Sequence, residues 1–82
     1  MQNKKMTPYL IKLTGDTLNT SNYSHEGESF IYVLKGQFEL FLESRRITLK
    51  EGDSVYFDTS LEHRYHCRTG LEATILELRS VA

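Results

Sequence analysis

Short apolar runs with a two-residue period, cut by turns that mostly carry glycine, narrow what this chain can become more than any other feature. Gln37 to Glu43 shows the pattern most cleanly. Phe38, Leu40 and Leu42 alternate with Gln37, Glu39 and Phe41, the spacing at which a pleated strand sends successive side chains to opposite faces. Comparable runs lie at Pro8 to Thr14, Ser29 to Leu34, Arg46 to Leu49, Ser54 to Phe57, His63 to Arg68 and Leu71 to Arg79. The strongest of them are β-branched and aromatic, which suits strands. Gly15-Asp16, Lys35-Gly36, Ser44-Arg45, Lys50-Glu51-Gly52-Asp53 and Thr69-Gly70 read as stops or turns between them, with Lys35-Gly36 predicted to be a tight hairpin turn. Thr17 to Ser24 reads as a polar loop. No segment joins helix caps to a 3.6-residue period. The nearest, His25 to Leu34, is spoiled by its β-branched run and by Gly27 and Gly36. The expectation is about seven or eight short strands forming an all-β sandwich or barrel.

The chain has 82 residues, enough for one domain and no more. Residues 1–7 are expected to be a frayed segment and residues 8–82 a single barrel domain. Ten Lys and Arg against eleven Asp and Glu give a net charge of -1, so bulk charge does not recruit a polyanion. The pair Arg45-Arg46 alone is too small for a nucleic-acid footprint, and no glycine-rich phosphate loop is present. The longest apolar run, Phe30 to Leu34, is far too short to span a membrane. Met1 to Met6 is basic but leads into no signal-type apolar stretch. Cys67 is the one cysteine, which rules out an intrachain disulfide and points to a reducing, cytoplasmic setting. Ser29, Ile31 and Val33 share one face of their strand, and Phe30, Tyr32 and Leu34 the other. A strand that is apolar on both faces needs cover on both, and one small barrel covers only its interior. The second face, expected to include Phe41 and Tyr56, therefore calls for another molecule, and a homodimer is expected.

The residues at this point resemble a known family. His25-Glu26-Gly27-Glu28-Ser29-Phe30, running on through Tyr32-Val33-Leu34-Lys35-Gly36, is similar to the first cupin motif. Gly52-Asp53-Ser54-Val55-Tyr56-Phe57, running on to His63, is similar to the second. The likeness covers residues 8 to about 79. Each motif is degenerate by itself, but a Gly-Asp opening followed by His63 at its proper distance makes the pair fairly specific. More narrowly, His25 to Phe30, Gly52 to Phe57 and the pair His63-Arg64 resemble the cupin half of bacterial regulators that join an N-terminal helix-turn-helix to a C-terminal cupin. That resemblance implies a small jelly-roll barrel (a double-stranded β-helix), usually dimeric, with a pocket inside.

Carried over position by position, the family's metal-ligating pattern falls on Tyr23, His25, Ser29 and His63, with Cys67 at its asparagine position. Two ligands survive, His25 and His63. Ser29 stands in place of the carboxylate and Tyr23 in place of a histidine; the second motif's proline and glycine are Asp58 and Ser60. A catalytic divalent metal usually needs about three nitrogen or oxygen donors and an open position, so no resident cofactor is expected, although a divalent metal stays conceivable. Alternation puts His63, Tyr65 and Cys67 on one side and Arg64, His66 and Arg68 on the other. The candidate ligand-binding set is then Tyr23, His25, Ser29, His63, Tyr65 and Cys67, above a floor that includes Ile31, Val33, Phe38 and Leu40. This is a mostly apolar hollow with a few convergent polar groups. Bland readings compete with it: histidines bonded to each other or to water, and aromatics that simply fill a small barrel. No catalytic residue is assigned. The expected function is that of a small-ligand-sensing and dimerising domain of a transcriptional regulator, meeting DNA only through a separate helix-turn-helix unit and no membrane. The alternative is a small metal-dependent enzyme of the oxygenase or isomerase type acting on a small polar substrate.

Overall fold

The structure, a computed structural model, describes residues 5–15 and 27–81. Two of the candidate site residues, Tyr23 and His25, lie outside the described residues. Six strands are present among the described residues: β1 (Lys5–Thr14), β2 (Glu28–Leu42), β3 (Arg45–Lys50), β4 (Ser54–Asp58), β5 (His63–His66) and β6 (Glu72–Val81). All their pairings are antiparallel. The all-β fold expected from the alternation is observed, as is the jelly-roll barrel that the resemblance implies. The first strand begins at Lys5 rather than Pro8. It pairs with β6 alone among the described strands, and an edge strand tolerates Pro8, which has no N–H to give.

The expected turn at Lys35-Gly36 is not a turn. Ser29 to Leu34 and Gln37 to Leu42 belong to one 15-residue strand, which is why there are fewer strands than the spacing suggested. The physical reason is a register shift against β6 between Val33 and Lys35. A bulge inserts one extra residue, bends the strand and increases its twist without reversing the chain. It also flips parity. Ser29, Ile31 and Val33 point inward before it, and Phe38 and Leu40 point inward after it. The first half of β2 joins β6 and β4, with β1 beyond β6, in a first sheet. The second half joins β3 and β5 in a second sheet. The backbone at Val33 is clasped from the far side, where its N–H donates to the Asp53 carbonyl and its carbonyl accepts from the Gly52 N–H, both at 2.9 Å. Gly36 takes φ = 82°, and a Cβ there would collide with the Glu72 carbonyl.

Between the sheets lies one core of Leu13, Ile31, Val33, Phe38, Leu40, Leu49, Phe57, Ala73 and Ile75, completed by Tyr65 and Cys67. The outer face of the first sheet is apolar in rows. Leu10 pairs with Leu76, which pairs with Tyr32; Pro8 pairs with Leu78, which pairs with Phe30, which pairs with Tyr56. Leu10, Tyr32 and Tyr56 are exposed. Phe41 does not join this patch. The bulge carries its half of β2 into the second sheet, where the Arg64 guanidinium lies 4.5 Å above its ring.

The outer face of the second sheet buries a carboxylate. Glu39 is 5% exposed, with His66 Nδ1 at 3.1 Å, Arg68 at 3.6 Å and Arg46 at 4.0 Å. The hydrogen bond from His66 is the largest influence holding the Glu39 pKa below its ordinary 4.5; burial opposes it, and Arg68 and Arg46 add to it. A carboxyl whose folded pKa is depressed contributes stability above its unfolded pKa and loses it as pH falls through the folded value. The thermal midpoint is therefore expected to drop as pH is lowered below about 4.5, and Glu39→Gln is expected to make that drop shallower, as read by circular-dichroism melts across pH 3 to 7. Gly36→Ala is expected to cost about 1–3 kcal/mol in urea unfolding, because it forces a side chain into a left-handed backbone with a carbonyl in the way.

Candidate functional site

Inward alternation on three strands builds the interior. β2 contributes Ser29, β5 contributes His63 and Tyr65, with Cys67 just past its end, and β6 contributes Glu77 and Arg79. Ser29, His63, Tyr65 and Cys67 are buried, so four of the six residues read as candidates from the sequence do face the barrel interior. The sequence reading missed the group at the centre of this arrangement. Glu77 has no solvent exposure. Ser29 Oγ donates to its carboxylate, the Tyr65 hydroxyl lies 2.8 and 2.9 Å from its two oxygens, and Arg79 Nε donates at 3.0 Å. Arg79 is the counter-charge, half-buried, with its guanidinium 4.7 Å above the Tyr9 ring. A buried carboxylate is tolerable only when its charge is paired and its oxygens accept hydrogen bonds; both conditions are met here.

The electrostatics follow from that placement. Burial and the adjacent Glu77 push the Tyr65 phenol far above its ordinary range, so it acts as a hydrogen-bond donor and not as a base. The hydrogen bond to Glu77 raises Arg79 further. Cys67, whose Sγ lies 3.7 Å from the Gln37 carbonyl, has its pKa raised chiefly by burial. A thiol kept protonated in apolar surroundings is inert, not a nucleophile. His63 packs against Phe57 with ring centroids 5.2 Å apart, and its Nδ1 lies 2.8 Å from the Leu61 carbonyl. A carbonyl only accepts, so Nδ1 is the donor of this contact, which leaves Nε2 as the other ring nitrogen to face a partner. Outside the barrel, a small notch is lined by Phe41, Glu43, Glu62, His63 and Arg64. Glu28 faces outward, where its hydrogen bond to Tyr56 is the largest influence raising the Tyr56 pKa.

The described residues do not form the family's metal centre. Ser29 gives a hydroxyl already donating to Glu77, Cys67 a protonated thiol, and His63 one available nitrogen. The carboxylate that does lie inside, Glu77, is spent on Ser29, Tyr65 and Arg79. No three of His, Cys, Asp and Glu among the described residues are grouped to hold a metal ion. The signal for Glu77 was present in the chain. Ala73, Ile75, Glu77 and Arg79 alternate on one side of β6, and a glutamate at a core-facing strand position is a buried charge that demands partners.

The family model for the cupin domain matches residues 9–79, and the chain belongs to that family. No curated protein matches it in sequence. Among solved structures, an HTH_3 family transcriptional regulator from Vibrio cholerae superimposes with a TM-score of 0.80 at 16% identity, over 94% of this chain and 43% of its own. The iron(II) form of HppE in complex with substrate gives 0.77 at 19% identity, over 89% of this chain and 44% of its own. A cupin-2 domain containing protein from Shewanella frigidimarina gives 0.69 at 18% identity, over 89% and 68%. The chain thus spans under half the length of the regulator and of HppE. At these identities the likeness establishes the fold, which carries both regulators and enzymes.

Because Ser29, Tyr65 and Arg79 converge on one buried group, its removal is expected to cost more than the loss of any donor. Glu77→Ala is expected to lower unfolding free energy by about 3–5 kcal/mol, because the Arg79 guanidinium loses its counter-charge and the buried Ser29 hydroxyl its acceptor. Ser29→Ala should cost about 1–2 kcal/mol. Urea denaturation of the two variants beside the wild type checks the order.

Proposed function

We propose that this chain is a small-ligand-sensing and dimerising cupin domain of a transcriptional regulator. In this reading residues 8–82 are one barrel domain working in the cytoplasm, and sequence-directed DNA contact belongs to a separate helix-turn-helix unit. The observation that carries the reading is the commitment of Glu77 to Ser29, Tyr65 and Arg79. Interior polar groups that hold one another are suited to shaping a binding hollow, whereas metal catalysis needs free donors around an open coordination position. The ligand-facing set proposed is Tyr23, His25, Ser29, His63, Tyr65 and Cys67. The apolar outer rows of the first sheet support self-association, since exposed Leu10, Tyr32 and Tyr56, joined by half-buried Leu76 and Leu78, form a patch and not scattered points. In a regulator, ligand occupancy would act by stabilising one arrangement of the paired subunits over another.

One observation favours the alternative, a small metal-dependent enzyme of the oxygenase or isomerase type. His63 is held by the Leu61 carbonyl in the orientation that leaves Nε2 as a ligand nitrogen. Untagged protein separates the two readings. The sensor reading expects metal well below one ion per chain, not restored by Fe, Mn, Zn or Ni, together with a melting temperature raised by a small metabolite, since a ligand of the native state stabilises it by mass action. It also expects a dimer by light scattering at micromolar concentration. Near-stoichiometric metal that is lost in His63→Ala overturns it in favour of the enzyme. A monomer with no stabilising metabolite removes both of its parts.

A further inference from the structure

The inward face of the first sheet is sealed at one end and open at the other. On β1, Leu13 is 3% exposed and Tyr9, on the same face, is 40% exposed. On β6, Ala73, Ile75 and Glu77 are buried, while the side chain of Arg79, two residues further on, is 43% exposed. The hollow therefore opens where Arg79 stands, and the ion pair there has a direction. Its negative member, Glu77, is shut inside with no exposure, and its positive member stands at the opening. The donors of Arg79 are only partly spent. Nε donates to Glu77 Oε2 at 3.0 Å and Nη2 to Oε1 at 3.5 Å, and the Tyr65 oxygen is a further partner. A guanidinium carries five N–H donors, so donors remain on the exposed end of the fork. The Tyr9 ring, 4.7 Å from the guanidinium carbon, supports the group from one face.

We propose that Arg79 anchors the effector and that the effector is a small monocarboxylate. The inference rests on the sensor reading and gives its ligand a chemical class. A cationic ligand is not suited to this opening, because the carboxylate that would attract it is sealed behind Arg79. A phosphate dianion calls for more positive charge than one guanidinium already paired at its back. The register sets Thr7 and Ser29 beside Arg79, with Phe57 beyond Ser29, so no second cation comes from those neighbours. Glu28 and Asp58, opposite each other on β2 and β4, belong to the outward face and do not line the opening. A carboxylate carries a single charge, and its two oxygens match the parallel N–H groups of a guanidinium fork. The Glu77–Arg79 pair has no net charge, but a buried negative end and an exposed positive end leave the potential at the opening positive. Glu77 and Tyr9 also hold the fork in place, so little side-chain freedom is lost on binding.

The test is a dye-based thermal-shift series on the full chain. Acetate, butyrate and benzoate are each compared with the matching amide, and with chloride, phosphate and methylammonium at equal ionic strength. At least one carboxylate is expected to raise the melting temperature by several degrees above its amide, since a ligand of the native state stabilises it by mass action. Arg79→Lys keeps a positive partner for Glu77 but lacks the fork, and is expected to lose that rise. If it does not fold, Glu77→Gln with Arg79→Gln, which removes both charges together, takes its place. Lys12→Gln, a cation on the outer face of β1, should respond as the wild type does. The assignment is overturned if no carboxylate exceeds its amide, if the rise persists without the guanidinium, or if phosphate or methylammonium matches it. A chain stabilised by a neutral compound or an amine, and not by carboxylates, keeps the sensor reading and loses Arg79 as its anchor. A chain that none of these compounds stabilises counts against both.

Discussion

One strand serves both halves of this molecule. β2 hydrogen-bonds to β6 and β4 in its first half and to β3 and β5 in its second, so every strand except β1 pairs with it. The bulge between Val33 and Lys35 makes this possible. Without the extra residue the chain would keep one parity, and either Ile31 and Val33 or Phe38 and Leu40 would be turned out to solvent. With it, both sets meet in the same core. The division of the surface follows from the same event. Phe30 and Tyr32, before the bulge, lie on the apolar outer face of the first sheet, and Glu39 and Phe41, after it, lie on the outer face of the second.

The interior replaces one kind of polar centre with another. A small barrel needs its hollow filled, and apolar side chains fill most of it here. The remainder is taken by a carboxylate and its donors. Ser29, at the position the family uses for a carboxylate, donates to a carboxylate that comes from β6 instead. The negative charge lies inside the barrel, and the guanidinium of Arg79 pairs with it. An ion pair closed by a hydroxyl and a phenol gives this part of the interior a fixed geometry.

Much of the fold was legible because alternation is a strong signal. Phe38, Leu40, His63, Tyr65 and Cys67 all face inward as their parity requires. What was not legible was the fate of Lys35-Gly36. A glycine with positive φ serves a hairpin turn and a bulge equally well, and only the long-range pairing of Val33, Lys35 and Gly36 with β6 distinguishes them. Phe41 was placed on the wrong outer face for the same reason, because its position depends on the bulge and not on its neighbours. Glu77 and Glu39 escaped notice differently. The partners that make their burial tolerable come from residues distant in the chain: Ser29 and Tyr65 for one, Arg46, His66 and Arg68 for the other.

Cys67 gives the barrel an internal clock. It is the sole thiol of the chain, almost fully buried, and kept protonated by its surroundings. Alkylating reagents attack the thiolate and need access to sulfur, so a closed barrel withholds both requirements together. The speed at which a maleimide consumes this thiol under native conditions therefore reports how often β5 and the segment after it part from β2, a motion that scattering and melting curves leave unseen.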